Sequence, residues 1–416
     1  MIQDRSIYVW FDNDEVSAPV FMGILSSSHI RGNEVFSFEF DRSWLEDRRF
    51  RSFDPDLQLF SGRQYPSQTK SNFGIFLDSA PDRWGRVLLD RKEAVSAREE
   101  NRPARNLFES DYLLGVFDAS RMGALRYKLE PDGEFLDNDP AFSTPPWTSI
   151  GELENASLCL ENEDDIQHNR WIRMLVAPGS SLGGARPKAN VVDNGGHLWI
   201  AKFPSRKDRT DVGAWEAVCM ELARRSGIKV SDWKIDRYNS RYHTFLTKRF
   251  DRTDSGKRHH FTSAMTLLGY TDGQEGASYL DIAEWIESNC ENVRDNMLEL
   301  YRRIVFNVAV SNCDDHLRNH GFIYSREGWT LSPAYDLTPD PQGMGLNLNI
   351  DQKNNSLDFS LVYDVAPYLG IEGKDAGEII SKIKGVVSDW RRVASGYGIS
   401  KIEQDIMSAA FRNADR

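Results

Sequence analysis

The chain has 416 residues, 40% of them apolar, 11% aromatic and 27% charged, with a net charge of −12. That length points to two or three domains, and the apolar and aromatic content excludes wholesale disorder. The acidic balance excludes a chain whose main work is gripping nucleic-acid phosphates. The four cysteines, Cys159, Cys219, Cys290 and Cys313, lie too far apart for a disulfide framework or a CxxC zinc site, which points to a reducing cytoplasm. The opening MIQDRSIYVWFD lacks the long apolar run of a signal peptide, and no apolar stretch approaches the ~20 residues of a membrane span. The expectation is a soluble, cytoplasmic protein with no membrane partner.

Ile7, Val9 and Phe11 alternate on one face, and Phe36, Phe38 and Phe40 repeat the pattern. Between them Pro19–Gly23 reads as a strand ending in a turn, so the first ~65 residues form a small antiparallel sheet. Asp78–Arg91 follows as a helix, with Pro81 near its start and Trp84, Val87 and Leu88 on its apolar side. Residues 131–149 are rich in Pro, Gly, Asp and Asn, breaking both periodicities, and are expected to be a linker. Beyond them come a strand over Gly196–Phe203, a helix over Gly213–Arg225, and strands over Lys229–Arg237 and His243–Phe250. Apolar residues at helical spacing mark a long buried helix over Val293–Val310, and the pattern past residue 360 is mainly helical. A small sheet lobe followed by a helical lobe places a ligand between lobes.

The densest polar cluster, Ser311–His320, follows the long helix directly and carries Asn312, Asp314, Asp315, His316, Arg318, Asn319 and His320. Core packing does not explain such a set, because buried polar groups without partners cost several kcal/mol. Asn319 stands five positions after Asp314, and Asp336 follows a hairpin-length segment later. Kinase chemistry needs this set: an Asp to orient and deprotonate a hydroxyl, an Asn on a metal ion, and an Asp bridging metal to phosphates. Upstream, Gly179–Lys188 is a glycine- and serine-rich turn ending in a lysine, and it is not a Walker A loop. Lys202 lies in a strand, and Glu216 on the next helix is a candidate to orient it. His316 and His320 with Asp315 offer a weaker zinc reading, without a third ligand in the usual spacing.

Asn312-Cys-Asp-Asp-His-Leu-Arg-Asn319, Ala334-Tyr-Asp-Leu-Thr-Pro339, Ser180–Lys188 and Ile200-Ala-Lys-Phe-Pro204 resemble the HipA family, the kinase toxins of HipBA-type toxin–antitoxin modules. Pro81-Asp-Arg-Trp-Gly-Arg86 and the stretch Asp111–Leu125 extend the resemblance over nearly the whole chain. It implies an α+β, protein-kinase-like two-lobe fold. An extra N-terminal α/β subdomain would span 1–140, a sheet lobe with glycine-rich loop and ATP lysine 150–250, and an all-helical catalytic lobe 251–416. The resemblance makes Asp314 the catalytic Asp, Asn319 and Asp336 the Mg²⁺ ligands, and Lys202 the ATP-phosphate lysine. Further nucleotide contacts are implied at Gly183, Gly184, Ala185, Lys188 and His316, and at a hinge containing Lys248 and Phe250. Lys248 stands where well-known members carry Glu, which leaves backbone contacts to adenine unaffected.

The implied activity is ATP-dependent serine/threonine protein phosphorylation by a type II toxin. Its expected target is a translation component, an aminoacyl-tRNA synthetase, and autophosphorylation at Ser181 or neighbouring Ser180 would switch the kinase off. The implied partner is a helix-turn-helix HipB-like antitoxin, through which alone this acidic chain would meet DNA. Two rival readings are a small-molecule kinase of the aminoglycoside or choline type and a catalytically silent corepressor that binds antitoxin.

Overall fold

A computed structural model describes residues 4–47, 52–81, 83–139, 143–161, 175 and 186–414. The glycine-rich loop residues Ser180, Ser181, Gly183, Gly184 and Ala185 lie outside the described residues. The chain divides into two compact units, one of Met1–Arg206, Arg249–Thr262 and Gly269–Thr271, the other of Lys207–Lys248, Ser263–Leu268 and Asp272–Arg416. No described helix is long and apolar enough to cross a membrane.

In the first unit β1 (Arg5–Phe11), β2 (Val20–Ile30), β3 (Asn33–Phe40) and β4 (Leu125–Lys128) form an antiparallel sheet in the order β3-β2-β1-β4. The alternating residues Ile7, Val9, Phe11, Phe36 and Phe38 are buried, as period-2 patterning requires. The expected turn at Gly23 is absent, because β2 runs through it to Ile30. Gly23 sits where the register with β1 shifts between Val9 and Trp10, and a Cβ there would lie 2.3 Å from the Glu39 carbonyl oxygen. The glycine therefore serves close backbone approach at a bulge. The chain reverses instead at Arg31-Gly32, where φ is +53° and +84°, the two positive values a two-residue hairpin turn demands.

The helix expected over Asp78–Arg91 is found later, as Arg83–Glu99, behind a separate short helix Gly74–Asp78. The described residues 131–139 and 143–149 lie within the first unit, and hydrogen bonds tie both stretches to it. Leu136 N donates to Tyr127 O at 2.9 Å and Val192 N to Pro145 O at 3.0 Å. β5 (Lys188–Val192) and β6 (Leu198–Lys202) make an antiparallel pair that sets Lys188 opposite Lys202.

The same unit contains a knot of charged side chains around residues 116–123. Arg121 is wholly buried, and its guanidinium donates to the carbonyls of Ser79, Leu113, Val116 and Leu136 at 2.8–3.0 Å. Asp118 pairs with Arg126 at 2.6 Å and Arg258 at 3.3 Å. Asp251 pairs with Arg249 and Arg252 at 2.6 Å each and accepts from Gly123 N at 2.9 Å. Burial works to raise the Asp251 pKa, but the charges of Arg249 and Arg252 hold it well below the usual carboxylate range.

In the second unit β7 (Trp233–Asp236) and β8 (Thr244–Lys248) pair antiparallel. The helix Val212–Ser226 is capped by the Asp211 carboxylate, which accepts from Ala214 N at 3.2 Å. The helix Val293–Val310 is buried along Met297, Leu300, Tyr301, Ile304, Val305 and Val308, the stripe its periodicity announces. The hairpin Gly321–Ser325 with Gly328–Leu331 follows, and then the helices Phe359–Val365, Gly373–Val387, Trp390–Gly396 and Lys401–Met407. Trp390 stacks on Phe411 with centroids 4.4 Å apart, and Trp215 lies 6.0 Å from each.

Candidate functional site

The long helix ends at Ser311 in a left-handed conformation, φ +50°, with its hydroxyl donating to Ala410 O at 2.8 Å. That sharp exit turns the polar cluster out of the helix axis. Asp314 is exposed, and Asn319 is buried with its Nδ2 donating to Asp314 O at 3.1 Å. Asp336 follows the hairpin at φ +56°, a region that aspartate tolerates better than most residues and that concentrates at functional sites. Its turn is stitched to the polar loop on both sides. Tyr335 Oη donates to Arg318 O at 2.6 Å, and Asp340 N donates to Ser311 O at 3.0 Å. Thr338 N reaches Asn312 Oδ1 at a long 3.5 Å. The buried Arg303, paired with Glu299 at 2.8 Å, steadies the approach by donating to Ser332 O at 2.6 Å.

Asp314, Asn319 and Asp336 thus come from two segments that hydrogen bonds hold side by side. His316 and His320 do not share a helix face, because the 3-10 turn Leu317–Asn319 separates them and His320 turns back to Asp315. Among the described residues no three His, Cys, Asp or Glu side chains gather as a metal cluster. A divalent cation of the Mg²⁺ type needs no such cluster, since it binds through few hard oxygens and shares substrate phosphates. With Asn319 Nδ2 committed to Asp314 O, its Oδ1 and the Asp336 carboxylate are oxygen donors of that kind.

Asp315, next to the exposed Asp314, is buried. Burial works to raise its pKa, yet the His320 charge and hydrogen bonds from His320 and Tyr279 bring it below the ordinary carboxylate value. Burial and the Asp315 charge push the Tyr279 phenol well above its usual value. Tyr279 and Asn307 escape motif reading. Tyr279 opens a helix far upstream, and the only trace of Asn307 is a polar residue inside an apolar helix.

Of the other candidates, Lys188 and Lys202 lie in the first unit on adjacent strands, Lys188 buried and Lys202 half-buried. Trp84, from the Pro81–Arg86 motif, donates its Nε1 to Lys188 O at 3.0 Å. Phe250 also belongs to the first unit, with its ring 5.9 Å from that of Phe261. Beside it, Arg249 N donates to Leu198 O at 3.0 Å and its side chain enters the knot at Ser120 O, 2.5 Å. Lys248, Glu216 and His316 belong to the second unit. Glu216 is buried, and Lys248 N donates to Asp232 O at 2.8 Å.

Residues 180–390, just over half of the chain, match the family model described as HipA-like C-terminal domain. A Haemophilus influenzae protein whose name carries the word kinase is 26% identical over 240 residues, 50% of this chain and 69% of its own length. The serine/threonine-protein kinase toxin HipA of Shewanella oneidensis is 25% identical over 189 residues, and the match spans 38% of this chain but only 43% of that protein. Among solved structures, the Shewanella oneidensis toxin–antitoxin complex of HipA, HipB and operator DNA matches with a TM-score of 0.66 at 16% identity, covering 99% of this chain and 97% of that one. At that identity the match speaks for the fold, a mixed α/β kinase-like architecture. The family model, the curated toxin relative and the shared fold agree that the chain belongs to the HipA family.

Proposed function

We propose that the chain is an ATP-dependent serine/threonine protein kinase acting as the toxin of a type II toxin–antitoxin pair. The observation that carries this reading is the pairing of the Asp314–Asn319 loop with the Asp336 turn through Tyr335, Thr338 and Asp340. In the reaction Asp314 orients the acceptor hydroxyl and takes its proton as the oxygen attacks the γ-phosphorus of ATP. The bond from the γ-phosphorus to the bridging oxygen breaks, and ADP leaves with that electron pair. Asn319 and Asp336 would hold Mg²⁺, which supplies charge neutralisation at the phosphates when bound. Lys202 adds positive charge on the nucleotide, Lys188 and the loop Gly183–Ala185 line the phosphates, and Lys248, Phe250 and His316 complete the nucleotide contacts. The target is an aminoacyl-tRNA synthetase, where a phosphate's charge of about −1.5 to −2 would spoil a loop that grips ATP or tRNA. The partner is a HipB-like helix-turn-helix antitoxin that carries the chain to DNA. Phosphate on Ser181 or Ser180 would repel the ATP that its loop covers.

The test is intact-mass and phosphopeptide mass spectrometry of phosphatase-treated protein before and after Mg·ATP, beside Asp314→Asn and Asp336→Asn. The wild type should gain phosphate on Ser180 or Ser181, and both folded variants should not. Substantial phosphate gain by either variant overturns the assignment of residues. A dephosphorylated wild type that neither binds ATP nor gains phosphate overturns the kinase reading.

A further inference from the structure

We infer that Asp315, Tyr279 and Asn307 are positioning residues for phosphotransfer, an assignment that rests on the kinase reading above. One carboxylate oxygen, Asp315 Oδ2, gathers three donors: Tyr279 Oη at 2.6 Å, Asn307 Nδ2 at 2.8 Å and His320 Nε2 at 2.8 Å. The four side chains belong to residues no more than 2% exposed. The donors arrive from three places: the first residue of the helix Tyr279–Asn289, the last turn of Val293–Val310, and the residue just after the 3-10 turn.

The placement along the chain carries the argument. Asp315 is bonded to the residue before it, Asp314, and His320 to Asn319, so one oxygen pins the segment beside both of these chemical residues. Asn307 extends the network: its Oδ1 accepts from Asn312 Nδ2 at 3.0 Å, and its carbonyl accepts from Asn312 N at 2.9 Å. Asn312 Oδ1 in turn meets Thr338 N, two residues past Asp336. A single buried network therefore touches the flank of each of the three residues assigned to the chemistry. Apolar groups would fill this space with less desolvation. What a shared anion adds is a fixed distance between loop ends, and a 1 Å misplacement of reacting groups can cost about 100-fold in rate.

The test uses the full-length, phosphatase-treated chain with Mg·ATP, following the initial rate of phosphate gain against ATP concentration. Tyr279→Phe removes one donor and keeps the ring. The rate at saturating ATP should fall about 10- to 100-fold, with the half-saturating ATP concentration within about twofold. Asp315→Asn keeps an acceptor oxygen and should recover part of the rate that Asp315→Ala loses. If Asp315→Ala does not fold, Tyr279→Phe and Asp315→Asn decide alone. Folded Tyr279→Phe and Asp315→Asn proteins with wild-type saturating rates overturn the inference while leaving the kinase reading intact. A loss expressed mainly in the ATP requirement also overturns it. A wild type that neither binds ATP nor gains phosphate overturns both.

Discussion

His260 is 1% exposed and lies against Phe11 and Phe53, with ring centroids 5.3 and 4.5 Å away. Burial pushes its pKa down to about 3, against an ordinary value of about 6.5 in an unfolded chain. The unfolded state therefore takes up a proton that the folded state refuses. The neutral histidine contributes fully above pH 6.5, and that contribution is lost as pH falls from 6.5 towards 3. Urea unfolding at pH 7, 6 and 5 should show stability falling in acid, and His260→Phe should remove up to about 1.4 kcal/mol per pH unit of that slope. A second residue-scale expectation concerns Asp336 at φ +56°. Asn tolerates that backbone and Ala does not, so Asp336→Ala should be less stable than Asp336→Asn by about 1 kcal/mol. Thermal melts of the two inactive proteins check it.

The knot around residues 116–123 shows how charge acts at the level of elements. Asp251 has no exposed side-chain surface, and removing its charge strands Arg249 and Arg252 in the interior. Asp251→Asn should cost about 3–5 kcal/mol in chemical denaturation. The solvent-facing pair Arg42–Glu46, with side chains 90% and 63% exposed, gives the contrast. Glu46→Gln should change stability by less than about 0.5 kcal/mol. Elements with a local period were legible in the sequence. The helix Val293–Val310 announced itself by spacing, and the Asp314–Asn319 segment by dense polarity after an apolar run. The knot was not legible, because it joins Asp118 and Arg121 to residues some 130 positions later and no period links them. Gly23 misled for a related reason: glycine marks both turns and close backbone approach, and only the neighbouring strand distinguishes them. Tyr279 stayed hidden because its partner Asp315 is 36 residues away.

At the level of the whole molecule, the chain passes between its two units five times. The units are therefore not beads joined by one linker, and a cut after Arg206 removes Arg249, Asp251, Arg252 and Arg258 from the first of them. A fragment of residues 1–206 would leave the carbonyls of Asp118, Ser120 and Arg121 without Arg258, Arg249 and Arg252, which donate to them. It should lack a cooperative urea transition and near-ultraviolet dichroism, whereas the full chain should show both. A fragment that unfolds cooperatively would refute this account of the unit.

The same knot sets a timetable on the ribosome. Asp118 is made 140 residues before the Arg258 that binds its carbonyl. At 5–20 residues per second, that wait is roughly 7–28 s. During it the carbonyls of Asp118, Ser120 and Arg121 have water where the finished protein has the guanidinium groups of Arg258, Arg249 and Arg252. Nascent chains stalled before Arg249 should be cut there by added protease, and chains stalled well beyond Arg258 should resist. The speed of translation between these points then governs how long each new molecule stays open to proteolysis.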